Sequence, residues 1–338
     1  MINRLSSIAH AAYFDLLSSL KDEAISDIRG IPRLEQRGGK AYWYDLHRIG
    51  SAVRKRYIGE NNAETAGRIA RHRLLSEGKA ERDAHRARLI RILRAEGLSP
   101  IDPATGSLLA ALAQAGTFRL GGTVVGTHAF RLYESELGIR SSLTDIMQTG
   151  DLDIAQFEGL SLAIDDKVEP SLQEMFKKLE FTSIPSLFSR SYWRWKQTKS
   201  ETLVEFLTPS FRPEEDIRPL PALGVSAQSL HFLNYLIAAP IKAAALYRSG
   251  VLVQIPRPEA YAIHKLIVAD RRRGGPDAIK SRKDRLQATF LIRALAEDRP
   301  DDLAEAYDDA LAGGPSWCDH IARSLNLLTG VAEIFKSL

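Results

Sequence analysis

Residues 124–155 read VVGTHAFRLYESELGIRSSLTDIMQTGDLDIA, and the interpretation of the whole chain starts from this stretch. Val124-Val125 is strand-like, Gly126-Thr127 comes next, and the following run has the pattern of a helix that ends at Gly138. Asp151 and Asp153 lie two positions apart in a second strand-like run. Side chains two apart in a strand point to the same face, so we expect both carboxylates to project together.

This acidic pair indicates a cation site. Two adjacent carboxylates repel each other unless a cation lies between them, and Mg²⁺ prefers one or two protein carboxylates together with substrate phosphates. A third acid, Glu205, lies in the apolar run 202–207, which we predict to be a neighbouring strand. An acidic residue is costly there unless it is paired or ligated. The sequence therefore favours a magnesium site formed by Asp151, Asp153 and Glu205.

Other interpretations of the same residues stay open at this point. An Asp-x-Asp pair also occurs in turns and on solvated surfaces, Glu205 fits an outward-facing strand position, and Gly126-Thr127 fits a tight strand-to-helix turn. The earlier Gly121-Gly122 competes for the role of the glycine motif. We favour Gly126-Thr127, because a helical run follows it directly.

The order of these features resembles the DNA polymerase β-like nucleotidyltransferase superfamily. It is more similar still to uncharacterised bacterial nucleotidyltransferase-fold proteins, which are related to toxin and abortive-infection enzymes. A second similar block lies downstream, in PRPEAYAIHKLIVADRRR (256–273) and KSRKDRLQA (280–288), and the resemblance covers about residues 118–290. The residues that carry it are Gly126, Thr127, Gly138, Arg140, Thr149, Asp151 and Asp153 in the first block, and Lys265, Lys283 and Asp284 in the second.

The resemblance implies an enzyme that transfers a nucleoside monophosphate from an NTP to an acceptor hydroxyl and releases pyrophosphate. It implies that Asp151 and Asp153 bind two Mg²⁺ ions and that Glu205 supports the ion nearer the acceptor. It also implies nucleotide-binding roles, which fall on Gly126, Thr127, Arg140, Lys265 and Lys283.

The chain departs from the superfamily pattern in three respects, one being that the spacing from Thr127 to Asp151 is longer than in minimal members. The motif is Gly-Thr rather than Gly-Gly or Gly-Ser, and the third acid is Glu rather than Asp. They leave a second function open, namely a catalytically silent fold that binds nucleic acid or protein. A toxin that modifies tRNA ends is a third, based on family analogy alone. The partners implied are an NTP and an RNA or protein acceptor, with a homodimer or an antitoxin as further alternatives.

The candidate site is part of a larger chain, for which we predict an α+β fold. The chain has 338 residues, 44% of them hydrophobic and 26% charged, which is typical of a globular protein. Residues 1–100 hold 19 basic and 12 acidic residues, whereas residues 101–220 hold 12 and 17. We predict a mixed-sheet nucleotidyltransferase core at 106–217, flanked by a basic helical domain at 1–105 and a mostly helical domain at 218–338. A proline-containing linker, Leu98–Gly106, marks the first boundary.

Further expectations concern local structure and compartment. The first hundred residues are predicted to be almost entirely helical, and helix is predicted again from Pro219 onward, apart from a strand at Val251–Ile255. The lone Cys318 forms no internal disulfide, and no signal peptide or membrane span is visible, so we expect a cytoplasmic protein without a membrane partner.

Overall fold

The computed structural model describes residues 2–24, 28, 30–49, 52–141, 150–164, 166–184, 192–274 and 277–338. Within them, the strands are β1 (Asn3–Arg4), β2 (Ile31–Arg37), β3 (Lys40–Ile49), β4 (Ala52–Glu60), β5 (Thr123–Val125), β6 (Ile139–Arg140), β7 (Asp151–Ala155), β8 (Phe181–Ile184), β9 (Arg194–Gln197), β10 (Leu203–Pro209), β11 (Ile217–Leu220), β12 (Val225–Leu230), β13 (Ile241–Ala245) and β14 (Val251–Ile255). The helices are α1 (Ser7–Ala24), α2 (Ala63–Glu77), α3 (Lys79–Ala95), α4 (Pro103–Ala115), α5 (Gly126–Leu137), α6 (Glu158–Ala163), α7 (Leu172–Lys178), α8 (Leu233–Leu236), α9 (Pro258–Arg271), α10 (Ala278–Asp298), α11 (Pro300–Leu311), α12 (Pro315–Leu325) and α13 (Val331–Ser337).

A mixed sheet of seven strands lies at the centre of the described part of the chain. Its main path runs β11-β12-β10-β7-β5, and β9 adds to β10 and carries β8 on its other side. Strand β7 is parallel to β10 and antiparallel to β5. The α+β class with a mixed sheet is therefore confirmed. Because β7 and β10 run in the same direction, their first residues lie at the same edge of the sheet.

The sheet forms because its strands supply continuous apolar runs. Leu152, Ile154, Val204 and Phe206 are fully buried, as expected for strands covered on both faces. The hydrophobic cluster that contains them extends along the chain from Ile101 to Val331. It therefore includes side chains of the C-terminal helices as well as of the sheet, and burial of this apolar surface is the main stabilising term.

Residues 31–60 differ from the expectation of an almost entirely helical first hundred residues. They form the three-stranded antiparallel sheet β2-β3-β4. The hairpin between β2 and β3 turns at Gly38-Gly39, where both glycines have positive φ, +57 and +81. Two consecutive left-handed residues are what a tight hairpin turn requires. The helical expectation is wrong here and holds for α1, α2 and α3 on either side.

The stretch after Pro219 also differs from its expected helix. Strands β11 and β12 form a hairpin at 217–230, and only the short α8 follows before strand β13. The reason is visible in β12, where Val225, Ala227 and Ser229 are buried and alternate with more exposed residues, the two-residue period of a strand. The strand expected at Val251–Ile255 is confirmed as β14. No helix in the described ranges is long and apolar enough to cross a membrane.

Candidate active site

Three acidic residues lie near the edge where β7 and β10 begin. Glu205 of β10 lies directly opposite Asp153 of β7 in the parallel register, and Val125, the last residue of β5, lies opposite Asp153 on the other side. The carboxyl groups of Asp153 and Glu205 interact, and Asp151 acts on both through its charge. The sheet register therefore gathers the three acids that the sequence singles out.

The carboxylates of this cluster act on one another as like charges. Burial, together with the charges of Glu205 and Asp151, raises the pKa of Asp153 to about 7. Burial and Asp151 also raise the pKa of Glu205, although Arg194 opposes the shift. A raised carboxyl pKa beside like charges means that ionising every group at once is unfavourable unless a cation is supplied.

The side chains are not drawn to one common point. Among the described residues, no group of three or more His, Cys, Asp or Glu side chains is arranged to hold a metal ion. Glu205 instead lies 3.8 Å from Arg194 Nη1 of β9. Carboxylate oxygens are nevertheless the donors that Mg²⁺ prefers, so the donor set fits this ion and the acidic side chains must converge to hold it.

Gly126 makes the turn from β5 into α5 directly against Asp153. Its φ is +66°, and a Cβ at this position would lie 2.3 Å from Asp153 Oδ2. Both the left-handed backbone and the close approach require glycine. Helix α5 begins here, so the backbone N–H groups of its first turn lie next to the carboxylates, together with the partly exposed Thr127. The structure thus has the strand–Gly-Thr–helix order at 126–127, whereas Gly121 lies before β5.

Helices α9 and α10 bring cations to the same place. Lys265 Nζ lies 2.5 Å from Asp284 Oδ1, and Arg272 Nη1 donates to Asp284 Oδ2 at 2.8 Å. Burial alone would raise the pKa of Asp284, but Lys265 and Arg272 hold it below its ordinary value. Both cations also act on Asp153, whose pKa they lower against the effect of burial.

Lys283 differs from Lys265 because it has no ion-pair partner within 4.0 Å in the described part of the chain. Burial and the nearby Lys265 lower its pKa, whereas Asp284, Asp151 and Asp153 act in the opposite direction. Lys283 is therefore a half-buried cation within electrostatic reach of the two aspartates. It is available to bind an anion.

The comparison with known families agrees with this geometry. The model of a family described as nucleotidyltransferase matches residues 103–312, which include the carboxylates, the glycine turn and helices α9 and α10. The chain belongs to the nucleotidyltransferase family. No curated protein and no solved structure matches its sequence.

Most residues that the sequence predicts for a nucleotidyltransferase site lie around this edge: Asp151, Asp153, Glu205, Gly126, Thr127, Lys265 and Lys283. Arg140 is engaged elsewhere. It lies at the end of β6, is exposed, and donates a hydrogen bond from Nη2 to the carbonyl oxygen of Glu96, just after α3. Thr149 lies outside the described residues.

The sequence pattern missed two other residues of this candidate site. Tyr261, four positions before Lys265 and fully buried, has its hydroxyl 2.8 Å from the carbonyl oxygen of Gly126 and 3.1 Å from Gln287 Oε1. Arg194 reaches Glu205 because the antiparallel register of β9 and β10 places the two residues opposite each other. A tyrosine one helical turn before a candidate lysine is a signal that can be read from sequence, whereas strand register is not.

Arg272 belongs to the run Arg271–Arg273 at the C-terminal end of α9. Each member forms an ion pair: Arg271 with Glu215, Arg272 with Asp284 and Arg273 with Asp270. These ion pairs hold the C-terminal end of α9 in place. Its middle arginine serves the candidate site through Asp284.

Proposed function

We propose that this nucleotidyltransferase moves a nucleoside monophosphate from an NTP to an acceptor hydroxyl at the edge where β7 and β10 begin. The observation that carries the proposal is the register of Asp153 opposite Glu205, with Gly126 touching Asp153 from the other side. Three acids, a glycine turn into a helix and two lysines are the parts that phosphoryl transfer from an NTP needs, since its catalysis rests on positioning and charge stabilisation.

The residues of the chain divide the work between the phosphates and the acceptor. The first N–H groups of α5 and the hydroxyl of Thr127 bind triphosphate oxygens, since the start of a helix favours anions. Lys283 neutralises charge on the β- and γ-phosphates, and Lys265, held by Asp284, adds a positive field at the same place. Their combined charge stabilises pyrophosphate as it leaves.

Asp151, Asp153 and Glu205 would hold Mg²⁺, and two ions are expected from the superfamily pattern. The chemistry that Mg²⁺ supplies when bound is neutralisation of phosphate charge and a lower pKa for the acceptor hydroxyl. In the transfer, the acceptor oxygen forms a bond to the α-phosphorus while the bond from that phosphorus to the pyrophosphate oxygen breaks. The hydroxyl proton leaves to water.

The proposal is tested by incubating the protein with each of the four NTPs, labelled in the α-phosphate, with Mg²⁺ and either RNA or protein acceptors. Label should pass to an acceptor and pyrophosphate should appear with the wild type but not with Asp153→Asn. Asp319→Asn, an exposed acid on α12, is the matched control and should keep full activity. Equal labelling by wild type and Asp153→Asn would show that the assignment is wrong, and absence of Mg²⁺-dependent NTP binding in calorimetry would favour the silent fold.

A further inference from the structure

A cleft of about 980 Å³ lies between α3 and the sheet-containing part of the molecule. Gly150 and Thr202 form part of its wall. These two residues come immediately before Asp151 and Leu203, the first residues of β7 and β10. The cleft therefore opens onto the same edge of the sheet at which the three carboxylates lie.

The cleft is positively charged. Of the described residues that line it, four are arginines, Arg91 and Arg94 from α3, Arg131 from α5 and Arg248 from the turn between β13 and β14, and one, Asp102, is an acid. The carboxylate of Asp102 is already used, since it accepts the N–H of Thr105 at 2.9 Å and caps α4.

The four arginines form no close ion pair among the described residues, although the charge of Arg131 helps to lower the pKa of Asp102. In the ranges that the structure describes, none of them lies within 4.0 Å of an acidic group. Arg86, on a neighbouring face of α3, shows the contrast, because it is buried and paired with Glu23 of α1. Helix α3 thus packs one side against α1 with its charge paired, and it presents unpaired guanidinium groups to the cleft.

The chemistry of this lining points to phosphate groups. Guanidinium groups match phosphate oxygens with two parallel hydrogen bonds, which makes arginine the preferred residue for nucleic-acid backbones. The triphosphate of the NTP already has its own partners in the α5 turn, Lys265 and Lys283, so these arginines are left for the other substrate. A cleft of this volume has the size of a site for one extended ligand rather than for a broad surface.

We infer that the cleft binds the phosphodiester backbone of a single-stranded nucleic acid whose terminal hydroxyl is the acceptor. This inference rests on the proposed nucleotidyl transfer at the adjoining edge. Arg91 and Arg94 are three positions apart on one face of α3 and contact neighbouring phosphates, Arg248 contacts the strand from the opposite wall, and Arg131 lies toward the reacting end.

The test measures binding of fluorescein-labelled single-stranded RNA, and of DNA of the same sequence, by fluorescence anisotropy at several salt concentrations. Four phosphate contacts on a single strand give a slope of log K against log salt of about −2.8, so affinity should fall about 50-fold between 50 and 200 mM salt. Arg91→Ala/Arg94→Ala should bind more weakly and fall only about 7-fold over the same range, because the slope drops to about −1.4.

The matched control is Arg71→Ala/Lys178→Ala, which removes two exposed cations of α2 and α7 that do not line the cleft. It should keep the wild-type affinity and slope. NTP binding should be unchanged in Arg91→Ala/Arg94→Ala, and Asp153→Asn should still bind the strand.

The results that overturn the inference are distinct from failure of the proposed activity. Lack of binding of both RNA and DNA, an equal loss in the control pair, or loss of NTP binding in Arg91→Ala/Arg94→Ala would each contradict a strand-binding cleft. Strand binding with the expected slopes but without nucleotidyl transfer would support the cleft and count against the activity. RNA binding without DNA binding would identify RNA as the acceptor class.

Discussion

Asp153 and Asp284 lie in one region of the molecule, but their pKa values are shifted in opposite directions. The pKa of Asp153 is raised to about 7, whereas that of Asp284, which is also buried, is lowered. The neighbours explain the difference. Asp153 lies beside Glu205 and Asp151, and Asp284 lies between Lys265 and Arg272.

Burial makes a charge costly at both positions, and the neighbouring charges decide whether the fold itself offsets that cost. Asp284 carries its counterions in the fold, so it is a structural anion that fixes α9 to α10. In the cluster around Asp153, burial and the neighbouring carboxylates outweigh the nearby cations, so the pKa of Asp153 is raised. A functional acid and a structural acid can thus be told apart by their charge environment.

The largest expected effect comes from removing the functional acid. Asp153→Asn should lower Mg²⁺-dependent nucleotidyl transfer by at least about 1,000-fold, since a metal ligand supplies several kcal/mol of transition-state stabilisation. Its stability without Mg²⁺ should not fall, because the change relieves repulsion from Glu205 and Asp151. Urea unfolding in EDTA together with the transfer assay checks both parts. A large loss of stability in Asp153→Asn would show that Asp153, like Asp284, stabilises the fold.

Removing the structural acid should have the next largest effect, and on stability. Asp284→Ala should lower the free energy of unfolding by about 3 kcal/mol, because it leaves the buried Lys265 without a counterion. Urea unfolding is the measurement, with Asp319→Ala as the control that should change little. If Asp284→Ala were as stable as the control, Asp284 would not be the anchor described here.

A smaller effect is expected at the glycine turn. Gly126→Ala should cost about 1–2 kcal/mol through its left-handed backbone, and more through the contact of its Cβ with Asp153. Gly224 offers a matched control, because it has the same φ of +66° with nothing within 4 Å of its would-be Cβ. Gly224→Ala should show the backbone cost alone and keep activity. Equal stability losses and equal activities in the two variants would mean that the contact with Asp153 does not matter.

The smallest effect concerns acid pH. Since the folded-state pKa of Asp284 is depressed, its stabilising contribution is complete above the unfolded value of about 3.9 and is lost as pH falls through the lower folded value. The difference in unfolding free energy between wild type and Asp284→Ala should therefore be constant near neutral pH and shrink in strong acid. A difference that grows on acidification would reverse the sign argued here.

The sequence predicted the local parts of the site better than its assembly. Asp151 and Asp153 could be placed on one face because a strand repeats every two residues, and α5 could be placed because glycine motifs bound it. The position of Glu205 opposite Asp153 depends on which strands pair and in what register, and that is decided by packing across residues distant in the chain. Glu205 could be proposed as a metal ligand from the sequence, but its position opposite Asp153 could not be predicted.

The misread segments have a common physical cause. Strand β3 contains Tyr42, Tyr44 and Leu46, which lie on one face, but it is surrounded by charged residues that obscure the alternation. The turn Gly38-Gly39 was the available signal for a hairpin, and two consecutive glycines between alternating segments predict one. At 217–230 the two prolines, Pro219 and Pro221, suggested the start of a helix, whereas Pro219 lies within β11.

The hydroxyl of Tyr261 has a consequence for anyone who wishes to build a smaller catalyst from this protein. This one group joins the carbonyl oxygen of Gly126, in the turn between β5 and α5, to Gln287 on α10. A fragment cut after the sheet would lose that brace, along with the apolar side chains of α9 that fill the same core. The glycine turn therefore depends on the C-terminal helices and is not an independent structural unit. In a smaller or redesigned protein, the turn should be kept together with helices α9 and α10.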